Sequence, residues 1–310
     1  MRKPPLSLLP LSMLLCQAGL AQDKPPFAGA ATAVQHETMF AAMHCAAATK
    51  PISKSEGTFL YPNGDCYRGQ FVNGLRQGQG EMLYASKYYY KGEWDQGKRQ
   101  GQGHYVWPDG GFYDGRWVNN LREGRGRYTG IGTIYEGDWL ADAMSGVGRM
   151  VWASGASYEG DWKADQRDGK GLMIEPDGSR YEGEWKGDKR DGQGSSKGAS
   201  GWRYEGQWRA GLKEGQGIDL PPSGDRYEGE FVAGKREGHG RYTWANGAYY
   251  EGDFVANDFQ GRGLSVNADG SRYDGSGAMT RSRAKAWSSA PTVIVMKAAS
   301  WPASARAKVV

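Results

Sequence analysis

The sequence predicts an all-β protein, an elongated single-layer antiparallel meander or solenoid of about nine to ten hairpin repeats of 23 residues. Three observations predict this fold class: 49 glycines among 310 residues, 18 tyrosines with 12 tryptophans, and a motif that recurs at near-constant spacing. Glycine at about twice its usual frequency excludes a long helical protein, because each glycine inside a helix costs ~1 kcal/mol relative to alanine. The abundant aromatic residues exclude a disordered low-complexity chain.

The chain begins with a predicted leader. Residues 1–21 are typical of a secretory signal peptide, because Arg2 and Lys3 supply positive charge, residues 6–15 are mainly apolar, and small residues lead up to a cleavage site after Ala21. The apolar stretch is shorter than the ~20 residues that a membrane-spanning helix needs. We therefore expect export to a periplasmic, envelope-associated or secreted location.

Residues 22–56 form an Ala-rich N-terminal segment, and both a short helix and a linker are consistent with its composition. Cleavage after Ala21 would leave two cysteines, Cys45 and Cys66. An oxidising compartment favours one disulfide between them, which would tie this segment to the start of the repeats. Two unpaired buried thiols fit the sequence equally well.

The repeat array occupies residues 57–275. Nine full copies carry Tyr-x-Gly-x-aromatic, and successive tyrosines are 23 residues apart except for one step of 22 between Tyr113 and Tyr135. A Gly-x-Gly pair follows 11 and 13 residues after each of these tyrosines. The residues that define the repeats are Tyr67, Gly69, Tyr90, Gly92, Trp94, Tyr113, Gly115, Trp117, Tyr135, Gly137, Trp139, Tyr158, Gly160, Trp162, Tyr181, Gly183, Trp185, Tyr204, Gly206, Trp208, Tyr227, Gly229, Tyr250 and Gly252.

Each repeat predicts a two-stranded hairpin. The tyrosine, glycine and aromatic residue alternate with mostly polar residues, so they lie on one face of a strand whose other face meets solvent. A turn with charged residues follows, as in 97–101, and the Gly-x-Gly pair then opens a second strand. That strand ends in a tight turn such as Asp109-Gly110, because glycine accepts a positive φ. The in-strand glycine leaves a gap that a large ring on a neighbouring strand can cover, and stacked repeats stabilise their nearest neighbours.

This pattern resembles the MORN (membrane occupation and recognition nexus) repeat over residues 57–275. The resemblance implies a rod-like or curved single-layer β structure that acts as a scaffold, binds partners, sometimes self-associates and, in several members, contacts membrane phospholipid. Some MORN arrays are attached to catalytic domains, whereas only short pieces flank this one. Residues 142–145 of the fourth repeat and residues 195–200 of the sixth repeat depart from the usual sequence pattern. We therefore expect local weak points or kinks there.

No residue pattern indicates catalysis, a cofactor or a metal site. His36 and His44 lie near Cys45 without the spacing of a metal-binding motif, and His104 and His239 lie beside repeat glycines as exposed strand residues would. The Gly-x-Gly pairs precede strands, whereas a dinucleotide-binding fingerprint precedes a helix. Acidic residues recur at equivalent positions, which is typical of a solvated face. We therefore expect no enzyme, no cofactor and no bound metal.

Residues 276–310 form a basic tail with a composition typical of disorder, holding six Lys or Arg and no acidic residue. An out-of-frame end would also explain this composition. The candidate membrane contacts are Arg281, Arg283, Lys285 and Trp287, because a basic residue near an anionic bilayer contributes ~1 kcal/mol. Residues 67–272 hold 28 basic and 30 acidic residues, a net charge of 28 − 30 = −2, which argues against nucleic-acid binding.

These features predict a non-enzymatic scaffold that mediates protein–protein interaction in an exported location. The sequence names no partner, and self-association into a homo-oligomer is consistent with it. Two alternatives stay open. One is a peripheral membrane protein that binds anionic phospholipid, and the other is an envelope-glycan binder that stacks sugars on surface aromatic residues.

Overall fold

A computed structural model describes residues 56–276, which form one open antiparallel sheet of 20 strands. This part of the chain contains no helix. The all-β fold class predicted from the repeats is therefore confirmed. The predicted leader, the rest of the Ala-rich segment with Cys45, and the tail with Arg281, Arg283, Lys285 and Trp287 lie outside the described residues.

Each strand pairs with the strands that precede and follow it along the chain, so the sheet is a meander. Strands β2 to β19 form the nine full repeats, two strands each, and β1 and β20 come from the half-repeats at the two ends. The strands are β1 (Glu56–Leu60), β2 (Cys66–Val72), β3 (Leu75–Leu83), β4 (Tyr89–Asp95), β5 (Lys98–Val106), β6 (Phe112–Val118), β7 (Leu121–Gly130), β8 (Thr133–Leu140), β9 (Ala143–Trp152), β10 (Ser157–Lys163), β11 (Gln166–Ile174), β12 (Arg180–Lys186), β13 (Lys189–Lys197), β14 (Arg203–Arg209), β15 (Leu212–Leu220), β16 (Arg226–Val232), β17 (Lys235–Thr243), β18 (Tyr249–Val255), β19 (Asp258–Val266) and β20 (Arg272–Ser276).

Pairs of glycines set the register between neighbouring strands. In the second repeat, Gly92 of β4 faces Gly103 of β5. Beyond this pair the register shifts by two residues, at a β-bulge in which Gly101 adopts a φ of 64°. The shift leaves Trp94 opposite Arg99. The same glycine pair and register shift recur in all nine full repeats.

The Gly-x-Gly pair lies inside the second strand, so the prediction that it opens this strand is wrong. In the second repeat a two-residue turn, Gln96-Gly97 with φ of 48° and 80°, follows the first strand directly. Lys98 already pairs with Asp95 on the other side of this turn. A turn with two left-handed residues matches the twist of a hairpin and needs no further residues. The charged residues that follow it are therefore strand residues.

The predicted Asp-Gly turns lie at the other ends of the strands, where the aspartate and glycine are the last two residues of three-residue loops. The Trp107 N–H donates to the Gly111 oxygen at 2.8 Å and closes residues 108–110, the last of which is a glycine with a φ of 86°. The third repeat has only Ile131 and Gly132 between its paired strand ends. This shorter loop accounts for the single step of 22 residues in the repeat.

The core is one face of the sheet, which we name the ladder face. It carries the repeat tyrosines and the Trp or Phe four residues after each, and none of these residues is more than 6% exposed. We name the opposite face, with the alternating residues, the polar face. Strand pairing continues through the fourth and sixth repeats, where Met144 faces Trp139 and Ser196 faces Tyr181. The departures from the pattern in these repeats therefore do not interrupt the sheet.

Candidate functional site: the two faces of the sheet

Each repeat tyrosine covers a pair of glycines. In the second repeat the Tyr90 ring lies over Gly92 and Gly103, where an added Cβ would overlap the ring. The Tyr90 hydroxyl donates a hydrogen bond to the backbone oxygen of Glu93 at 2.9 Å. Burial raises the pKa of Tyr90 well above its ordinary value, so the hydroxyl keeps its proton. The predicted covering from a neighbouring strand is therefore observed at Gly103, whereas Gly92 lies under a ring of its own strand.

Each repeat tryptophan joins its repeat to the preceding one. Trp94 Nε1 donates to the backbone oxygen of Gly80, in the preceding repeat, at 3.1 Å. Its ring stands edge-on to Tyr90 of its own repeat, with centroids 5.0 Å apart, and to Tyr67 of the preceding repeat, at 5.5 Å. Such ring pairs contribute ~0.5–1.5 kcal/mol beyond the area they bury. The stability of neighbouring repeats is therefore coupled through this aromatic ladder.

A basic residue completes the ladder, and the sequence analysis missed it. The Arg122 guanidinium lies 4.0 Å from the ring centroid of Trp139 in the next repeat, and Nη2 donates to the Asp142 backbone oxygen at 2.7 Å. The sequence signal for it is a residue, usually basic, that recurs five positions after each Trp or Phe of the ladder. The prediction that these residues belong to a turn hides this signal. The residues at this position are Arg76, Arg99, Arg122, Met144, Arg167, Arg190, Lys213, Arg236 and Phe259.

We expect Arg122→Ala to lower the free energy of unfolding by about 2 kcal/mol, because it removes a cation–π contact and a charge-assisted hydrogen bond. Urea denaturation of the full chain measures this loss. The control is Arg125→Ala in the same strand, whose side chain is 70% exposed on the polar face. That change should cost less than about 0.5 kcal/mol. Equal losses from the two variants would contradict the role given to Arg122.

Carboxylate and amide side chains between the repeat glycine and its aromatic residue hold the bulge. Glu93 Oε1 accepts the backbone N–H of Gln102 at 2.8 Å, and Asp161 Oδ2 accepts that of Lys170 at 2.7 Å. The same contact recurs in the first and fourth repeats. These acidic residues satisfy backbone groups that the bulge leaves without a ladder partner. Their regular occurrence therefore has a structural cause.

Two rows of charged residues cross the C-terminal half of the polar face. Cross-strand neighbours lie ~4.8 Å apart, so residues two strands apart are separated by ~10 Å, and the two rows lie ~7 Å apart along the strands. The acidic row is Glu159, Glu182, Glu205 and Glu228, and the neutral residues Leu172, Ser195 and Ile218 lie between its members. The basic row is Arg180, Lys197, Arg203 and Arg226, with Leu220 between the last two.

The acidic row differs along its length, because Glu159 faces Arg149 and Glu228 faces Arg241, whereas its two middle members face neutral residues on both neighbouring strands. In the N-terminal half of the polar face, opposite charges pair across strands, as in Arg68–Glu81 at 2.8 Å and Lys91–Glu81 at 3.1 Å. Within the two rows, the described residues form one ion pair, Arg226–Glu228 at 2.6 Å. The other members make no ion pair with any residue between 56 and 276. Glu182 and Glu205, which have no cationic residue opposite them on either neighbouring strand, are therefore the acidic residues best placed to act on a partner.

The predicted repeat-defining residues come together in the ladder, where they are buried and hold the sheet. A partner surface must therefore come mainly from other residues. Cys66 is 2% exposed and disulfide-bonded, but Cys45 lies outside the described residues, so their pairing stays a prediction. Between residues 56 and 276, no group of three His, Cys, Asp or Glu could hold a metal ion. The same stretch contains no helix long and apolar enough to cross a bilayer.

The family model for the MORN repeat matches nine segments of the chain. The matched residues are 67–87, 90–112, 113–131, 135–157, 158–180, 181–203, 204–218, 227–249 and 250–272. No curated protein sequence matches the chain.

Solved structures that resemble the chain include two domains named TCP and TCP10. The SAS-4 (dCPAP) TCP domain of Drosophila melanogaster, in complex with a proline-rich motif of Ana2 (dSTIL), is 12% identical, with 58% of this chain and 94% of that one covered at a TM-score of 0.30. A mutant TCP10 domain of Danio rerio CPAP is 11% identical, with 72% and 99% covered at a TM-score of 0.30.

Proposed function

The chain belongs to the MORN repeat family, and we propose that it is a non-enzymatic scaffold that binds a protein partner through the acidic and basic rows of its polar face. The observation that carries this proposal is the change along the polar face, from charges paired across strands near the N-terminal end to rows in which Glu182 and Glu205 face only neutral residues on both neighbouring strands. The ladder face is occupied by packing that the fold requires. Charged residues on the polar face can be replaced without loss of the packing on the ladder face.

The geometry of the two rows specifies the chemistry of the partner. A complementary surface needs basic groups at intervals of ~10 Å to face the acidic row, with acidic groups beside them to face the basic row. Such complementarity sets specificity and the association rate more than it sets raw affinity. A bilayer of anionic lipids would meet the acidic row with like charge. The described part of the chain therefore favours a protein over a membrane surface.

We also propose that the scaffold acts after export, in the periplasm, at the envelope or outside the cell. The predicted signal peptide at residues 1–21 supports this location. The basic tail remains the candidate for a separate contact with anionic phospholipid, through Arg281, Arg283, Lys285 and Trp287.

The test is affinity capture from the envelope fraction of the source cells, with the full mature chain immobilised. The acidic-row variant combines Glu182→Gln and Glu205→Gln. The matched control combines Asp114→Asn and Glu136→Gln, which lie in the same register on the polar face, each opposite Arg127. Both variants change the net charge by the same amount, so a general charge effect cannot separate them.

We expect the wild type and the control to capture the same partner proteins in similar amounts. The acidic-row variant should capture at least ~10-fold less of them, since close charge pairs contribute more than ~1.4 kcal/mol. Salt should release them, because exposed charges are screened. Equal retention by the two variants would overturn the proposal. If the immobilised chain captured only further copies of the same protein, self-association would replace partner binding as the proposed function. Binding of anionic vesicles that survives the acidic-row change but not removal of residues 276–310 would favour the membrane alternative.

A further inference from the structure

A cavity of about 610 Å³ opens on the ladder face between the seventh and eighth repeats. Its walls include Asp219, Phe231, Arg236, Tyr242, Trp244 and Phe259. Ligand sites in proteins are usually concavities of ~300–1,000 Å³, lined by aromatic side chains with a few polar groups that fix orientation. This cavity has both features, and the scaffold function proposed above does not use it.

The cavity exists because the seventh repeat lacks two large side chains that other repeats supply. At the position of Asp219, the first to fifth repeats carry Met82, Tyr105, Tyr128, Met150 and Met173. In the second repeat the Tyr105 ring fills this space, with centroids 5.7 Å from Trp117 and 4.9 Å from Trp107. Two residues later, Pro221 replaces the ring that Trp107 and Trp244 provide in their repeats.

Polar contacts fix the first wall of the cavity. Asp219 Oδ1 accepts hydrogen bonds from Lys213 Nζ at 3.0 Å and from Trp202 Nε1 at 2.6 Å. The side chains of Lys213 and Asp219 are only 17% and 24% exposed. These two hydrogen bonds fix the orientation of the Asp219 carboxylate. Apolar side chains cannot easily close the cavity against this wall, because they would remove the partly buried charges from water.

Aromatic rings form the second wall. The rings of Tyr242 and Trp244 lie 5.1 Å apart, and Trp244 lies 5.9 Å from Phe259. Tyr242 donates its hydroxyl to Asp225 Oδ2 at 2.6 Å, and the Arg236 guanidinium lies 4.9 Å from the Tyr242 ring. The wall therefore presents ring faces next to fixed charged groups.

The charges of this site cancel. Two carboxylates, Asp219 and Asp225, are matched by two cations, Lys213 and Arg236. A charged ligand gains little net attraction here, and a purely apolar ligand would remove polar groups from water without replacing their hydrogen bonds. A ligand with an apolar face for the rings and hydroxyl groups for the carboxylates and guanidinium satisfies both walls. We propose that this cavity binds one or two sugar residues of a neutral glycan, with a sugar ring on Trp244.

Binding of three neutral disaccharides, cellobiose, maltose and N,N′-diacetylchitobiose, tests this proposal on the full chain by calorimetry and tryptophan fluorescence. Trp244→Ala removes the stacking ring. Asp219→Tyr fills the cavity with the side chain that Tyr105 supplies in the second repeat, where it packs 4.7 Å from the Arg99 guanidinium. The control is Trp107→Ala, which removes the equivalent tryptophan from a repeat whose space Tyr105 already fills.

We expect the wild type and the Trp107→Ala control to bind at least one of these sugars with a Kd of about 1 mM or tighter. Trp244→Ala and Asp219→Tyr should each weaken this binding at least ~10-fold, which corresponds to ~1.4 kcal/mol. No binding of any of the three sugars by the wild type at about 10 mM would overturn the proposal. Unchanged binding in a folded Asp219→Tyr variant would overturn it too, and Trp244→Ala decides the question if Asp219→Tyr does not fold. Partner capture by the polar face should be unaffected by either variant.

Discussion

Gly171→Ala is expected to lower the free energy of unfolding by about 3 kcal/mol. A Cβ at this position would overlap the hydroxyl and ring of Tyr158, which lies over the glycine pair of the fifth repeat. To make room the ring must move, which disturbs its hydrogen bond to the Asp161 oxygen at 3.0 Å and its edge contact with Trp185 at 5.5 Å. Overpacking costs ~1–3 kcal/mol and a lost hydrogen bond about 1 kcal/mol more.

Gly57→Ala in β1 is the matched control for this prediction. No atom lies within 4 Å of the place where a Cβ at Gly57 would stand. The change should therefore leave stability within about 0.5 kcal/mol of the wild type, or raise it slightly through the unfolded chain. Urea titration followed by tryptophan fluorescence compares the two variants. A loss of less than about 1 kcal/mol for Gly171→Ala would show that the ring does not require a glycine beneath it.

Tyr135→Ala is expected to cost about 4 kcal/mol, the second large effect. Tyr135 is fully buried, and its ring contacts Trp139 at 5.2 Å and Trp162 of the next repeat at 5.5 Å. Because each repeat is stabilised mainly by its neighbours, loss of this ring in the middle of the array should also uncouple its two halves. We expect the single urea transition of the wild type to split into two.

Tyr135→Phe separates the ring from its hydroxyl. It removes only the hydrogen bond to the Asp138 backbone oxygen, 3.0 Å long, and should cost about 1 kcal/mol. The transition should stay single, because the ring contacts remain. Equal losses from the alanine and phenylalanine variants would mean that the hydroxyl, rather than ring packing, couples the repeats.

The ladder could be predicted from the sequence because its residues recur in phase. Tyrosine, glycine and tryptophan at alternate positions specify one face of a strand, and the recurrence excludes chance. The arginine of the ladder was missed for a physical reason. Arg99 follows a turn in sequence, and only the left-handed conformation of Gln96 and Gly97 shows that the strand has already resumed there.

The polar rows and the cavity depend on register across strands, which no single repeat reveals. Glu182 becomes part of an acidic row only because Leu172 and Ser195 face it from the two neighbouring strands. Asp219 opens a cavity only because its neighbours Lys213 and Trp202 hold it in place of a large ring. Departures from the repeat therefore determine the charge pattern of the polar face and the cavity, which the repeat pattern alone does not specify.

We propose that the ladder face holds the fold while the C-terminal half of the polar face binds the partner. Carbodiimide labelling of carboxylates, read by mass spectrometry with and without the captured partner, tests it without any mutation. We expect labelling of Glu182 and Glu205 to fall at least ~10-fold in the complex while labelling of Glu136 stays unchanged, because buried carboxylates are shielded from reagent. Unchanged labelling of the acidic row, or equal protection of Glu136, would contradict the account.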